Sequence, residues 1–224
     1  MKHSRLIIIY LLFYVCFSSD KLNAQSTHSS CEKIYFDTKK RVKSLTKRFK
    51  SIDFNKGDFI ASIGADNGWF EGAASVYYDS LFFYLEDIDS TCLNISHFEK
   101  VKNIYSKIKG DKITNQFILT IGNEKSTELP SEKFDKVIMN MVFHHFSFKK
   151  EMLTEVKRII KKEGKCFVME AIIPKNESHK FSCNYYNDKN QLIKIFEDNG
   201  FALLHTEEIF SGGGTWTFTF ALEK

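Results

Sequence analysis

Short continuous apolar runs alternate with stretches whose apolar residues recur every three to four positions, and the alternation persists from residue 58 to the end of the chain. The runs 58–63 (DFIASI), 81–86 (LFFYLE), 116–121 (QFILTI), 134–140 (FDKVIMN) and 165–173 (KCFVMEAII) predict buried strands. Between them, helical spacing predicts helices from the turn Gly64–Gly68 to about Tyr78, over 90–109, over 147–162 and over 188–199. In the 147–162 helix Met152, Val156, Ile159 and Ile160 face inward. Glu163-Gly164-Lys165 reads as its stop, and Gly200 closes the helix before it. Two further strands, 201–210 and 215–222, are joined through Ser211-Gly212-Gly213-Gly214. The last places Trp216, Phe218, Phe220 and Leu222 on one face and threonines on the other.

Strands alternating with helices imply right-handed crossovers and a parallel sheet covered on both faces, a three-layer Rossmann-like α/β sandwich. The final two strands lack an intervening helix and read as an antiparallel hairpin within that sheet. A polar loop runs from residue 122 to Pro130, and 174–187 reads as irregular.

Ahead of this pattern lie three other stretches. Lys2 and Arg5 precede an uninterrupted apolar run from Leu6 to Phe17, and small residues follow, with Ala24–Gln25 as the preferred cleavage point. A membrane-spanning helix needs about 20 apolar residues, so 1–24 reads as a secretory signal, with an uncleaved N-terminal anchor as the alternative. Residues 25–30 (QSTHSS) read as a linker and 31–224 as one domain that opens with a basic helix over 31–50. In that helix Val42, Leu45, Phe49 and Ile52 form an apolar stripe among lysines and arginines. We read it as a solvated helix packed on the domain by the stripe rather than as a nucleic-acid face.

The formal charge is +4, and removing Lys2, Arg5, Asp20 and Lys21 with the leader leaves +2. Near-neutrality argues against a dedicated nucleic-acid binder and leaves a small molecule as the expected partner, with any membrane contact made through the N-terminal segment. Export to the periplasm or beyond would permit disulfides among Cys31, Cys92, Cys166 and Cys183; three complete pairings remain open, and Cys166, inside an apolar strand, reads as a buried free thiol. No CxxC is present, and no metal site is expected. Oligomeric state is not legible.

The chemistry concentrates where the first strand ends in Ile63-Gly64-Ala65-Asp66-Asn67-Gly68 and opens a helix. Glycines let backbone approach a ligand, and a helix N-terminus offers free N–H groups. Asp87 ends the second strand, where an acid can accept both hydroxyls of a ribose. Together these predict a nucleoside-containing ligand.

Four stretches then resemble the class I S-adenosylmethionine (SAM)-dependent methyltransferases, of the small-molecule type: 58–70 (DFIASIGADNGWF), 82–89 (FFYLEDID), 121–140 (IGNEKSTELPSEKFDKVIMN) and 141–170, with MVFHHF and EVKRIIKKEGKCFVME. The resemblance covers about residues 55–222 and implies the sheet order 3-2-1-4-5-7-6. It implies SAM as cofactor, with Gly64, Ala65 and Gly68 lining its methionine part and Asp87 on the ribose. Ile88 would lie against the adenine, Asn123 where the family often has an acid reading the adenine amino group, and Asn140 and Met141 beside the sulfonium. Two further positions of the same site depart from the family: its acid at the end of strand one is Ser62 here, and its second glycine is Asp66. The activity implied is methyl transfer to an unidentified acceptor. The alternative is a methyltransferase-like protein that binds without chemistry.

An in-line displacement at a sulfonium needs no protein nucleophile and no metal, but a general base can assist. His145 and His144, after strand four, are the candidates, with His145 preferred. Tyr185 and Tyr186, beside the sheet end, are candidate substrate contacts.

Overall fold

The computed structural model describes residues 37–173, 185–209 and 214–224. The leader, the linker, Cys31, Cys183 and most of the irregular 174–187 stretch lie outside the described residues.

The elements follow in the order α1 (Lys39–Ser44), α2 (Thr46–Ile52), β1 (Phe59–Ile63), α3 (Trp69–Ala74), β2 (Phe82–Asp87), α4 (Ile95–Lys109), β3 (Gln116–Ile121), β4 (Phe134–Asn140), a 3-10 turn (Phe143–His145), α5 (Lys149–Ile159), β5 (Ile160–Ala171), α6 (Lys189–Glu197), β6 (Phe201–Glu208) and β7 (Thr215–Leu222). The seven strands form one sheet in the order β3-β2-β1-β4-β5-β7-β6. β7 runs antiparallel to both β5 and β6, and the pairs among β1 to β5 are parallel. The expected sheet order and closing hairpin are both present.

Two cores cover the two faces. On one, Phe49 and Ile52 of α2, Phe70 of α3 and Phe98, Val101 and Tyr105 of α4 bury Phe83, Leu85, Ile138 and Phe167. On the other, Met152, Val156 and Ile159 of α5 and Phe196 of α6 pack on Val137, Met139, Val168, Phe218 and Phe220. The Phe196 ring stacks on Phe220 at 4.1 Å. The apolar stripe Val42, Leu45, Phe49 and Ile52 is buried in the first core. Large apolar residues on matching faces supply the driving force, about 25 cal/mol per Å² removed from water.

Several element boundaries differ from the sequence reading, and three of the differences bear on how the chain folds. The basic helix begins at Lys39 and is interrupted at Leu45. The helix expected from 90 begins at Ile95, because Asn94 caps it by accepting the His97 N–H. The helix expected to reach 162 ends at Ile159, where Ile160 is already extended (φ −76°, ψ 144°) and starts β5. Gly164 is therefore a residue within a strand rather than a helix stop. The β4–β5 register shifts between Phe134 and Lys136, and a Cβ at Gly164 would lie 2.8 Å from the Phe134 carbonyl oxygen. A glycine is needed where the bulged strand brings backbone onto backbone. Among the described residues no helix is long and apolar enough to cross a membrane.

Candidate functional site

β1 and β4 are sheet neighbours although β2 and β3 lie between them in sequence. Strand order switches there, the position beyond the carboxyl ends of the strands at which open α/β sheets bind their ligands. The residues singled out from the sequence gather around it.

The turn after β1 is held to the end of β2 by hydrogen bonds. The Ala65 N–H donates to the Glu86 carbonyl at 2.9 Å. The Asp66 N–H donates to Asp87 Oδ2 at 2.8 Å, and the Asp89 N–H donates to Asp87 Oδ1 at 2.9 Å. The nucleotide-type turn and the acid at the end of β2 therefore meet in one place. Burial raises the Asp87 carboxyl above its ordinary pKa, against the backbone N–H groups of Asp89, Asp66 and Ile88 that pull it down. Asp66 takes the left-handed conformation (φ 54°) that glycine would supply. Gly64 (φ 68°) and Gly68 (φ 79°) are left-handed as well. A Cβ at Gly68 would meet Leu85 and Phe98 at 2.8 Å, so this glycine serves the packing of α3 and α4 on β2. At Gly64 the neighbouring side chain is Val142.

Ser62 is buried and donates its hydroxyl to Glu71 Oε1 at 2.5 Å. Glu71 belongs to α3, so a carboxylate reaches the end of β1 from the helix. Burial raises the Glu71 pKa to about 7, only partly opposed by the Ser62 hydrogen bond. Its Oε2 is buried with no hydrogen-bond partner among the described residues. Glu86 is likewise buried, its pKa raised to about 8 by burial and by Asp87, and its Oε1 has no partner among the described residues.

Just after β2, Ile88 is 48% exposed. Asn123 Oδ1 accepts the Lys125 and Ser126 N–H groups, both at 3.0 Å, closing the loop after β3. Arg48 of α2 donates Nη1–H to Asn140 Oδ1 at 3.4 Å, and burial lowers its pKa. Met141 follows in a left-handed conformation (φ 58°) and donates its N–H to the Met169 carbonyl. A bulky residue holds that strained backbone only where surrounding bonds enforce it.

The two histidines differ sharply. His144 is buried, its Nδ1 2.8 Å from Glu170 Oε2, and its N–H donates to Glu170 Oε1 at 3.1 Å. His145 is exposed, and burial of part of its ring and the neighbouring His144 lower its pKa. The Tyr185 ring lies 4.5 Å from that of His144. Tyr186 is in the core, stacked on Phe143 at 6.5 Å. Sequence reasoning passed over Arg48, Glu71, Glu86 and Glu170. For the three acids a signal was present: each is a charge inside an otherwise apolar segment. Among the described residues no group of three or more His, Cys, Asp or Glu side chains is placed to hold a metal.

These residues fit the adenosyl and methionyl parts of SAM. Asp87 keeps acceptor positions beyond the backbone N–H groups it binds. Ile88 offers an uncovered apolar surface beside it. The orphaned Glu71 Oε2 is a buried acceptor suited to a cation.

A family model described as a methyltransferase domain matches residues 76–168. No curated protein sequence matches the chain. Among solved structures, a SAM-dependent methyltransferase from Aquifex aeolicus is similar at 16% identity, covering 83% of this chain and 98% of that one with a TM-score of 0.60. A SAM-dependent methyltransferase from Methanosarcina mazei is similar at 13% identity, covering 76% and 95% with a TM-score of 0.58. The [4+2]-cyclase SpnF is similar at 12% identity, covering 82% of each chain with a TM-score of 0.62. At these identities each structural likeness is one of fold.

Proposed function

We propose that the chain is a class I SAM-dependent methyltransferase and that it methylates a small molecule held beyond the carboxyl ends of β4 and β5. The observation that carries the proposal is the meeting of the 64–68 turn with Asp87, through the 2.8 Å bond from the Asp66 N–H. Asp87 would hold the ribose hydroxyls and Ile88 the adenine. Glu71, reached through Ser62, would face the methionyl ammonium, and Asn140 and Met141 would lie near the sulfonium. SAM supplies an activated methyl on a good leaving group. The chain's own contribution is to align donor and acceptor and keep water out.

The net charge of only +2 without residues 1–24 gives little general attraction for a polyanion and supports a small acceptor. Isothermal calorimetry with SAM and with its demethylated product is the test. Micromolar binding of both is expected, and no binding of either at millimolar concentration would overturn the proposal. One contact favours a second reading, a protein that keeps the fold without the chemistry: the Val142 side chain packs against the Gly64 backbone, where a cofactor would approach. That calorimetric failure is its expected result.

Export is part of the same proposal. Cys92 is disulfide-bonded, which supports an oxidising compartment, whereas Cys166 is a buried free thiol. Recovery of a processed chain beginning at Gln25 outside the cytoplasm is expected. An unprocessed N-terminus on a membrane-bound chain would favour the anchor.

A further inference from the structure

Charge is spread unevenly along the chain. Residues 39–50 carry seven Lys and Arg and no acid, whereas residues 51–224 hold 25 Asp and Glu against 21 Lys and Arg, a net −4. The helix pair α1–α2 is thus a strongly positive element on a negative body. Its two sides do different things. Val42, Leu45, Phe49 and Ile52 are buried in the first core. Arg48 turns toward the site and donates to Asn140 Oδ1. Lys39, Lys40, Lys43 and Lys50 are exposed. Leu45, where the helix is interrupted, keeps a right-handed backbone (φ −84°, ψ −9°), so the helical period carries across it. At about 100° per residue the four lysines fall on the side opposite the apolar stripe.

Among the described residues none of these four lysines makes an ion pair. Acids nearby are engaged: Asp37 pairs with Arg41, and Glu207 with Lys47. Like charges four residues apart, as at Lys39 and Lys43, destabilise a helix, and nothing in the described fold offsets them. A dense exposed face of one sign attracts an array of the opposite sign. What the face lacks narrows that array. Its arginines are committed to Asp37 and to the site, so the outward groups are ammonium ions, which meet phosphate as point charges without the planar fork that reads bases. Phe49, the one aromatic residue of 39–50, is buried and offers no ring on which a base could stack. The apolar run Leu6–Phe17 upstream is a segment for a bilayer, kept as an anchor or removed on crossing, and brings the chain to a lipid surface in either case.

We propose that the outward lysine face of α1 and α2 docks the protein on a surface of anionic phospholipid headgroups. The lysine stems lie along the headgroup layer while their ammonium groups meet the phosphates. Binding weakens about fivefold for each lysine removed, and weakens again as salt screens the charges. The face that meets the lipid is the back of the helix whose front reaches Asn140, so docking also sets how the site is turned relative to the bilayer. This goes beyond the methyltransferase reading and stands without it.

Two arms test this on the full chain, with vesicles of phosphatidylcholine alone and of phosphatidylcholine mixed with phosphatidylglycerol. The first is acetylation by a water-soluble reagent, resolved lysine by lysine in a mass spectrometer. Lys39, Lys40, Lys43 and Lys50 should react about fivefold or more slowly on the anionic vesicles. They should react at their free rate on the neutral vesicles, and again on the anionic ones in about 1 M salt, where the Debye length is about 3 Å. Lys150 and Lys157 are exposed on α5, which covers the other face of the sheet, and should react at one rate throughout. Equal rates with and without anionic vesicles, equal slowing on neutral ones, or equal slowing of Lys150 and Lys157 would overturn the proposal. Slowing by duplex DNA at matched phosphate and not by vesicles would overturn it in favour of a nucleic acid. The second arm reads the ratio of partition coefficients, anionic over neutral vesicles, in which the apolar contribution of residues 6–17 cancels. Replacing the four lysines together by Gln should lower that ratio about 10²-fold or more, and replacing them by Arg should keep it. An unchanged ratio in the Gln variant, with an unchanged circular dichroism spectrum, would overturn the proposal. If the Gln variant does not fold, the acetylation arm decides.

Discussion

The carboxylate of Asp87 accepts the backbone N–H of Asp66, 21 residues earlier, at 2.8 Å. One acid thus pins the turn after β1 and, through the Asp89 N–H, the loop after β2. Asp87→Asn keeps the shape but replaces an ionised acceptor with a neutral one. Hydrogen bonds to charged groups are worth about 1.5–3 kcal/mol, so SAM affinity should fall roughly 10- to 100-fold. Calorimetry measures it, and undiminished affinity would remove Asp87 from the site.

Glu71 and Glu86 make stability depend on pH. Burial raises their folded pKa values to about 7 and about 8, against 4.5 for an ordinary glutamate. The folded state therefore holds protons that the unfolded chain releases above about pH 4.5. Their contribution is fully present below that pH. It is lost as pH rises through 7 for Glu71 and 8 for Glu86, at about 1.4 kcal/mol per pH unit per group. Thermal melts between pH 5 and 8 should show a falling Tm. The double variant Glu71→Gln, Glu86→Gln should flatten that fall, and an equal slope in the variant would refute the assignment.

Gly68 and Gly57 are both left-handed, at φ 79° and 91°, but their surroundings differ. A Cβ at Gly68 would press on Leu85 and Phe98, whereas one at Gly57 meets nothing within 4 Å. Gly57→Ala should cost about 1–2 kcal/mol, the penalty of the backbone conformation alone. Gly68→Ala should cost that plus about 1–3 kcal/mol of overpacking. Urea denaturation of the two variants checks the order.

Cys166 is buried and its thiol is pushed far up by that burial. Since the thiolate is the reactive form, a charged thiol reagent should not modify Cys166 in the folded protein, and should do so promptly in denaturant. Modification at equal rates in both states would contradict the buried position.

The strands at 116–121 and 134–140 are legible residue for residue, because each is a short apolar run between polar stretches, although β4 is buried on both faces and β3, at the sheet edge, is half exposed. The end of α5 was not. Ile159 and Ile160 are both apolar and both buried, so local periodicity cannot tell a last helical turn from a first strand residue. The pairing of Ile160 with Phe134 decides it, and that pairing is 26 residues distant. Likewise nothing local separates the surroundings of His144 and His145, since adjacent residues point different ways; the folded chain buries the first against Glu170 and leaves the second exposed.

Local order along the chain is enough for the seven strands, their sheet order through the family resemblance, and the presence of an acid at the end of β2. Hydrophobic period and turn residues are properties of neighbouring positions, and a sequence displays them openly. The encounters that make chemistry are of another kind: Glu71 with Ser62, Asp87 with the Asp66 N–H, Glu170 with His144. Each joins side chain or backbone across elements, and each depends on how helix and strand pack to within an ångström. That spacing exists only once the two cores have closed on the sheet, which is why the acids buried beneath the crevice came into view with the folded chain.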